Sequence, residues 1–174
     1  MRQVVYLHYQ PPDGEEENMH FSERTFKDAL GATVIQSRLG LPQGRQGYEK
    51  LLFPGIEVGL AGWQRSHSQG GGTGFESPHA IRYAPEEVNQ QFQRLGIERY
   101  LRELVELKPS DTELWLTTVT MSHPRTLRLK EIQYRVDAVK NGLSRKFFEA
   151  SIEVSDQRIN PKVIIHATPF MKTF

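Results

Sequence analysis

The spacing of apolar positions changes near residue 110, and the elements predicted on the two sides of that change differ in kind. "ELWLTTVTM", from Glu113 to Met121, is rich in β-branched and aromatic residues, which suit a pleated, half-buried surface. "TLRLKEIQYRVDAVK" alternates, with Leu127 and Leu129 in one phase and Ile132, Tyr134, Val136 and Ala138 in the other. The slip between the phases, at Lys130-Glu131, predicts a β-bulge. Asn141-Gly142 is a hairpin turn signal, and "FFEASIEV" returns with Phe148, Ala150, Ile152 and Val154 on one face. "KVIIHAT" follows after "SDQRINP" as a further strand. Residues 113 to 168 therefore read as an antiparallel meander of about four strands.

Ahead of the meander the period lengthens to that of a helix. Pro85 suits the first helical position and Glu86-Glu87 suits the positive end of the helix dipole. The stripe Val88, Phe92, Leu95 resumes after Gly96 as Ile97, Leu101, Leu104 and Val105, so the helix kinks or divides at Gly96 before ending near Lys108-Pro109. The predicted class is α+β, an antiparallel β-meander packed against a long helix. Nearer the N-terminus, "QVVYLHY" (Gln3 to Tyr9) reads as a strand ended by Pro11-Pro12 and the acidic turn "DGEEEN". "SERTFKDALG" reads as a short helix capped by Ser22, with Phe26, Ala29 and Leu30 on one face and a stop at Gly31. Six glycines and two prolines between Gly40 and Gly62 predict irregular connections with short strands.

Composition narrows the classes. At 174 residues the chain suits one domain, residues 1–174. No apolar run approaches the length of a membrane span, and the opening "MRQVVYLHYQPPDG" does not read as a secretory signal. With no cysteine, disulfides, thiolate metal sites and a cysteine nucleophile are excluded. A net charge of +1 shows no general commitment to nucleic acid, though a few well-placed arginines can still hold phosphate.

The candidate chemistry lies in "GWQRSHSQGGGTGFESPHAIRYAPEEVNQ", Gly62 to Gln90. "QGGGTG" lacks both the lysine of a P-loop and the G-x-G-x-x-G spacing. It reads either as a plain tight loop or as backbone, at Gly70, Gly71 and Gly72, passing close to an anion. Arg65 and His67 precede it; Glu76, His79, Arg82 and Tyr83 follow. If the glycines fold back, His67 gains a carboxylate partner in Glu76 and a guanidinium for an anion in Arg65; the plainer alternative is an Arg65–Glu76 loop clasp. A metal set of His67, Glu76, His79 and His123 is disfavoured because Pro78 opposes the helical convergence of Glu76 and His79 and the arginines favour an anion. Ser66 and Ser77 lack a nucleophile elbow. His123, in "TMSHPRT", sits at a strand end, either as a turn histidine or as a second proton-transfer group. Arg128, Lys130, Gln133 and Arg135 form either a solvated strand face or a shallow surface for a phosphate backbone.

These strings, continuing through "LGIERYLREL", "LTTVTMSHPRTLRLKEIQYRV" and "FEASIEV" from about Leu60 to Thr168, resemble the bacterial polymorphic toxin type 4 domain. The resemblance implies a variable N-terminal part at residues 1–60 and a toxin core at 61–168. It also implies a module carried by a larger secreted or contact-delivered bacterial protein, exported by a specialised secretion system. Such a module acts in the target-cell cytoplasm and is neutralised by a cognate immunity protein. The reaction stays open. The first reading is a metal-independent endoribonuclease without cofactor, with His67, Glu76, Arg65 and His123 as catalytic candidates. Arg82, Tyr83 and the glycines Gly70 to Gly72 would then hold the RNA. The second is an NAD-dependent ADP-ribosyltransferase or NAD glycohydrolase using Glu149 or Glu153 with Arg65. The third is a non-enzymatic binding module.

Overall fold

The computed structural model describes residues 4–5, 21–40, 62–68 and 80–174, and at positions 4, 5, 65 and 67 the backbone alone. Nine strands are described: β1 (Val4–Val5), β2 (Arg24–Lys27), β3 (Thr33–Arg38), β4 (Trp63–His67), β5 (Ile81–Pro85), β6 (Glu113–Ser122), β7 (Leu129–Lys140), β8 (Leu143–Val154) and β9 (Val163–Ala167). Seven form one sheet in the order β1-β9-β8-β7-β6-β3-β2, antiparallel throughout except where β1 lies parallel to β9. β4 and β5 form a separate antiparallel ribbon. The predicted meander is β6 to β9, and strands from before residue 60 extend it at both edges.

Alternation decides which side of each strand enters the core. Leu114 and Leu116 of β6 face Ala138 and Val136 of β7, and Val136, Tyr134 and Ile132 face Phe148, Ala150 and Ile152 of β8. All nine are buried. Asn141 and Gly142 close the β7–β8 hairpin at φ 52° and 75°, the left-handed pair that a tight primed turn demands. Met121 faces Glu131 and Ser122 faces Leu129, so Lys130 is the extra residue of a bulge at the slip in the hydrophobic phase. A second bulge leaves Phe147 between the pairs Val136–Phe148 and Asp137–Lys146, where its ring stacks on Phe174 with centroids 4.6 Å apart.

The helix covers the apolar face of the sheet, but it is not α-helical throughout. Val88–Glu98 is a π-helix, and Arg99–Leu107 continues it as α1. Its bonds close over five residues rather than four, so a residue returns to the core at i+5. Val88 is therefore followed inward by Gln93 and then Ile97. Phe92 is only partly buried and Leu95 is 63% exposed, whereas a regular α period would have put both on the buried stripe. The division expected at Gly96 takes the form of this change of helix type. In α1, Tyr100, Leu101 and Leu104 pack into the core, with the Tyr100 and Phe148 rings 4.8 Å apart.

The short helix expected at residues 22–31 is a correction: the segment is a β-hairpin. The Asp28 carboxylate accepts from the Leu30 and Ala32 amides, both at 2.9 Å, and Gly31 adopts φ 79°, so a turn forms in mid-segment. β2 and β3 then pair, and β3 joins β6 along its length. Leu30 is 86% exposed, so the apolar stripe supposed for a helix never forms. Sheet hydrogen bonds outweighed a weak local propensity. Of the strand expected over Gln3 to Tyr9, Val4–Val5 is described; the irregular connections expected between Gly40 and Gly62 lie mostly outside the described residues.

Candidate functional site

β4 and β5 bring the residues on the two sides of the glycine run into register. Trp63 pairs with Pro85, Gln64 with Ala84, Arg65 with Tyr83, Ser66 with Arg82 and His67 with Ile81. Directly opposed residues share a face of a ribbon and neighbours alternate. Positions 63, 65 and 67 therefore belong with Tyr83, and Ser66 belongs with Arg82. The ribbon is tied to the end of the main sheet where the Tyr83 amide donates to the Leu127 carbonyl at 2.8 Å and Tyr83 bridges Arg128.

Beneath the ribbon lies a buried polar seam. Ser66 and Ser68 are buried and contact helix and sheet: Ser66 Oγ donates to Gln93 Oε1, and Thr118 Oγ1 donates to Ser68 Oγ at 3.2 Å. Gln93, 1% exposed, donates through Nε2 to Tyr134 Oη at 2.7 Å. One amide thus links β4, the helix and β7. Burial pushes the Tyr134 phenol well above the ordinary tyrosine range, so its hydroxyl keeps its proton. Arg82 enters the same seam, its Nε donating to Ser122 Oγ at 2.5 Å, Nη1 to the Ile81 carbonyl at 2.9 Å and Nη2 to Thr33 Oγ1 at 3.2 Å. Desolvation lowers its pKa from the usual arginine value, but a guanidinium starts so high that it stays charged near neutrality. Thr120 Oγ1, on the strand opposite Thr33, is buried without a hydrogen-bond partner.

His123 occupies a different environment. It is 8% exposed, and its Nε2 lies 2.7 Å from the Val154 carbonyl. A carbonyl only accepts, so that nitrogen carries the proton. The neighbouring Arg128, also buried, reaches Asp156 Oδ1 through Nη2 at 2.6 Å. These two contacts lock the β6–β7 loop to the end of β8. Ser122, one residue earlier, accepts from Arg82. His123 also lines a cleft of about 340 Å³ with Lys130, Glu131, Glu153 and Lys162.

The other sequence candidates divide as follows. Gly70, Gly71, Gly72, Glu76 and His79 lie outside the described residues. Arg65 and His67 are placed by backbone register with Tyr83 and Ile81. Glu149 is bonded to Lys146 at 3.2 Å, and Glu153 lies 4.0 Å from His166 Nε2. Both carboxylates sit on the strand positions of β8 that alternate with the core residues Phe148, Ala150 and Ile152, across the sheet from Arg82. Arg135 chelates Asp137 at 2.9 to 3.1 Å and Gln133 bonds Glu131 at 3.0 Å, so much of the polar stripe of β7 is engaged in local pairs. No three His, Asp or Glu side chains gather as a metal-ligand set among the described residues.

Ser68, Gln93, Thr118 and Ser122 were not singled out by sequence reasoning, which weighed Ser66 as a nucleophile and Tyr134 as a core residue and not as members of a seam. One signal was present: Thr118 and Thr120 continue the apolar phase of Leu114 and Leu116, so two hydroxyls enter the inner face where β6 leaves the core. Gln93 carried no such signal: it is polar, and it is out of α-helical phase with Val88, from which it returns inward at i+5.

No helix among the described residues is long and apolar enough to cross a membrane. No curated protein and no solved structure matches the chain significantly. The family model for bacterial toxin 4 matches residues 60–160, which span the ribbon, the helix and strands β6 to β8. The match covers more than half of the 174 residues and includes every element that builds the polar seam except β3, so the chain belongs to the bacterial toxin 4 family.

Proposed function

We propose that this bacterial toxin module is a metal-independent endoribonuclease whose reaction site lies on the β4–β5 ribbon. The observation that supports this most directly is the ribbon register, with Arg65 opposite Tyr83 and His67 two positions along, above a seam that fixes the Arg82 guanidinium. A phosphate-binding cation, an aromatic hydroxyl and a proton-transfer group on adjoining backbone positions suit phosphodiester transfer. The arginines favour an anion over a metal ion, and RNA supplies its own nucleophile.

In this reading Glu76 removes the proton of the 2′-hydroxyl. The 2′-oxygen attacks phosphorus, the bond to the 5′-oxygen breaks, and protonated His67 returns a proton to that oxygen. The products are a 2′,3′-cyclic phosphate and a 5′-hydroxyl. Arg65 holds the phosphoryl oxygens, Tyr83 stacks or donates beside it, and Arg82 contributes a fixed positive charge from below. His123 takes the supporting role its contact to Val154 implies. Delivery from a larger exported protein into a target cell, and neutralisation by an immunity protein, follow the family's general biology and belong to the same proposal.

The test is incubation with single-stranded RNA in the presence of EDTA, with end-group analysis of the fragments. Cyclic phosphate ends formed despite the chelator are expected. Intact RNA together with nicotinamide release from NAD would overturn this reading in favour of a dinucleotide-consuming enzyme.

A further inference from the structure

We propose that the groove beside the start of β4 is a nucleobase subsite that selects guanine next to the scissile phosphate; this rests on the ribonuclease reading. The groove is about 900 Å³ and is formed by the start of β4, the first turn of the helix and the β8–β9 loop. It is continuous with the reaction site through one strand: Trp63 lines it, and Arg65 and His67 follow at alternate positions of β4. Two residues of strand span about 6.7 Å, comparable with the step from one phosphate to the next in an unstacked strand. A base beside Trp63 thus belongs to a nucleotide adjoining the phosphate held at Arg65.

The groove is lined by two carboxylates, Glu86 and Glu87, against one guanidinium, Arg158, which fits a neutral base better than a phosphate. The Trp63 indole, partly buried against the core, commits its N–H to the Arg158 carbonyl at 3.1 Å, so what it offers the groove is ring surface and not a donor. Stacking on such a ring is worth about 1–3 kcal/mol per base. The exposed side chains of Glu86, Gln91 and Asn160 also line the groove. An ionised carboxylate only accepts hydrogen bonds and repels phosphate, whereas the two amides both donate and accept. Guanine offers two adjacent donors, N1–H and the 2-amino group, to one carboxylate, and a carbonyl to an amide. Adenine, cytosine and uracil lack that paired donor edge. The β8–β9 loop turns at Asn160 with φ 48°, and on the other wall the Glu86 amide donates to the Gly62 carbonyl at 2.7 Å, tying the helix start to β4.

The chain has two tryptophans, so Trp115→Phe leaves Trp63 as the sole indole reporter. In that background, tryptophan fluorescence is titrated with 2′-O-methyl hexanucleotides, which cannot form the cyclic phosphate, containing a single G, A, C or U in an otherwise abasic strand. Saturable quenching at least tenfold tighter for the G oligonucleotide is expected, and Glu86→Gln is expected to reduce that preference by about tenfold, equal to about 1.4 kcal/mol. In parallel, the ends of natural RNA fragments are sequenced. A guanine bias in wild type that Glu86→Gln weakens supports the subsite. Cleavage without base bias, and quenching that is absent or equal for all four bases, overturns it while leaving the ribonuclease reading intact. Selective quenching by guanine with no cleavage of any RNA supports the base site and removes the ribonuclease reading.

Discussion

Gln93 allows the clearest test of how the seam holds the ribbon. Its buried amide accepts from Ser66 and donates to Tyr134, joining three elements through one side chain. Gln93→Leu keeps nearly the same volume, so the cavity term is small and the cost comes from stranding the Ser66 and Tyr134 hydroxyls. Each buried group left unsatisfied costs about 1–3 kcal/mol, which for the two hydroxyls predicts a loss of roughly 2–6 kcal/mol. A protein of this size has about 5–15 kcal/mol in total, and about 1 kcal/mol moves Tm by roughly 2–4 °C. Urea denaturation and calorimetry should therefore find Tm lowered by on the order of 5–15 °C. The sharper check is the triple variant Gln93→Leu, Ser66→Ala, Tyr134→Phe. Replacing all partners by apolar groups is close to neutral, so the triple should recover at least half of the loss. Gln93→Leu within about 0.5 kcal/mol of wild type, the ordinary range for a surface change, would refute the reasoning, as would a triple variant no more stable than the single.

His67→Ala should abolish RNA cleavage, a loss of about a hundredfold or more, with Tm nearly unchanged; equal loss of both would make the residue structural. Arg65→Lys keeps charge but loses the planar fork, so cleavage should fall partway and decline more steeply with salt than in wild type, and Arg65→Ala should be worse; Arg82→Lys, in contrast, should cost about 1–3 kcal/mol in urea denaturation because its fork spans Ser122 and Thr33. Glu76→Gln should remove most of the RNA cleavage in the same assay. Gly142→Ala, at φ 75°, should destabilise by about 1–2 kcal/mol in the same denaturation assay. Glu103 is held below its ordinary range first by its hydrogen bond to Lys172 at 2.6 Å; a depressed carboxylate stabilises the fold above its unfolded pKa and that contribution fades as pH falls through the folded one, so Glu103→Gln should flatten the acid limb of a Tm-against-pH curve.

The strands β6 to β9, the turn at Asn141-Gly142 and the bulge at Lys130 were legible because each is written in local alternation: a residue out of phase by one turns to the other face of the sheet, and only one register keeps Tyr134, Val136, Phe148 and Ile152 inside. The helix was legible in place and length for the same reason. Its π form was not, because the apolar stripe Val88, Phe92, Leu95 reads as a regular α period, while the buried Gln93 is polar and its partners Ser66 and Tyr134 lie on two other elements. The hairpin at residues 24–38 was likewise decided by pairing with β6, more than 75 positions away at every contact. For the site, the sequence supplied the residue types around the glycine run, Arg65, His67, Arg82 and Tyr83. Which of them share a face followed from the β4–β5 register, which sets Arg82 into the seam and positions 65 and 67 in phase with Tyr83. Local pattern determines which way a strand or helix presents its residues; which residues meet across elements is a property of long-range packing, where the cost of an unpaired buried hydroxyl or guanidinium exceeds any local preference.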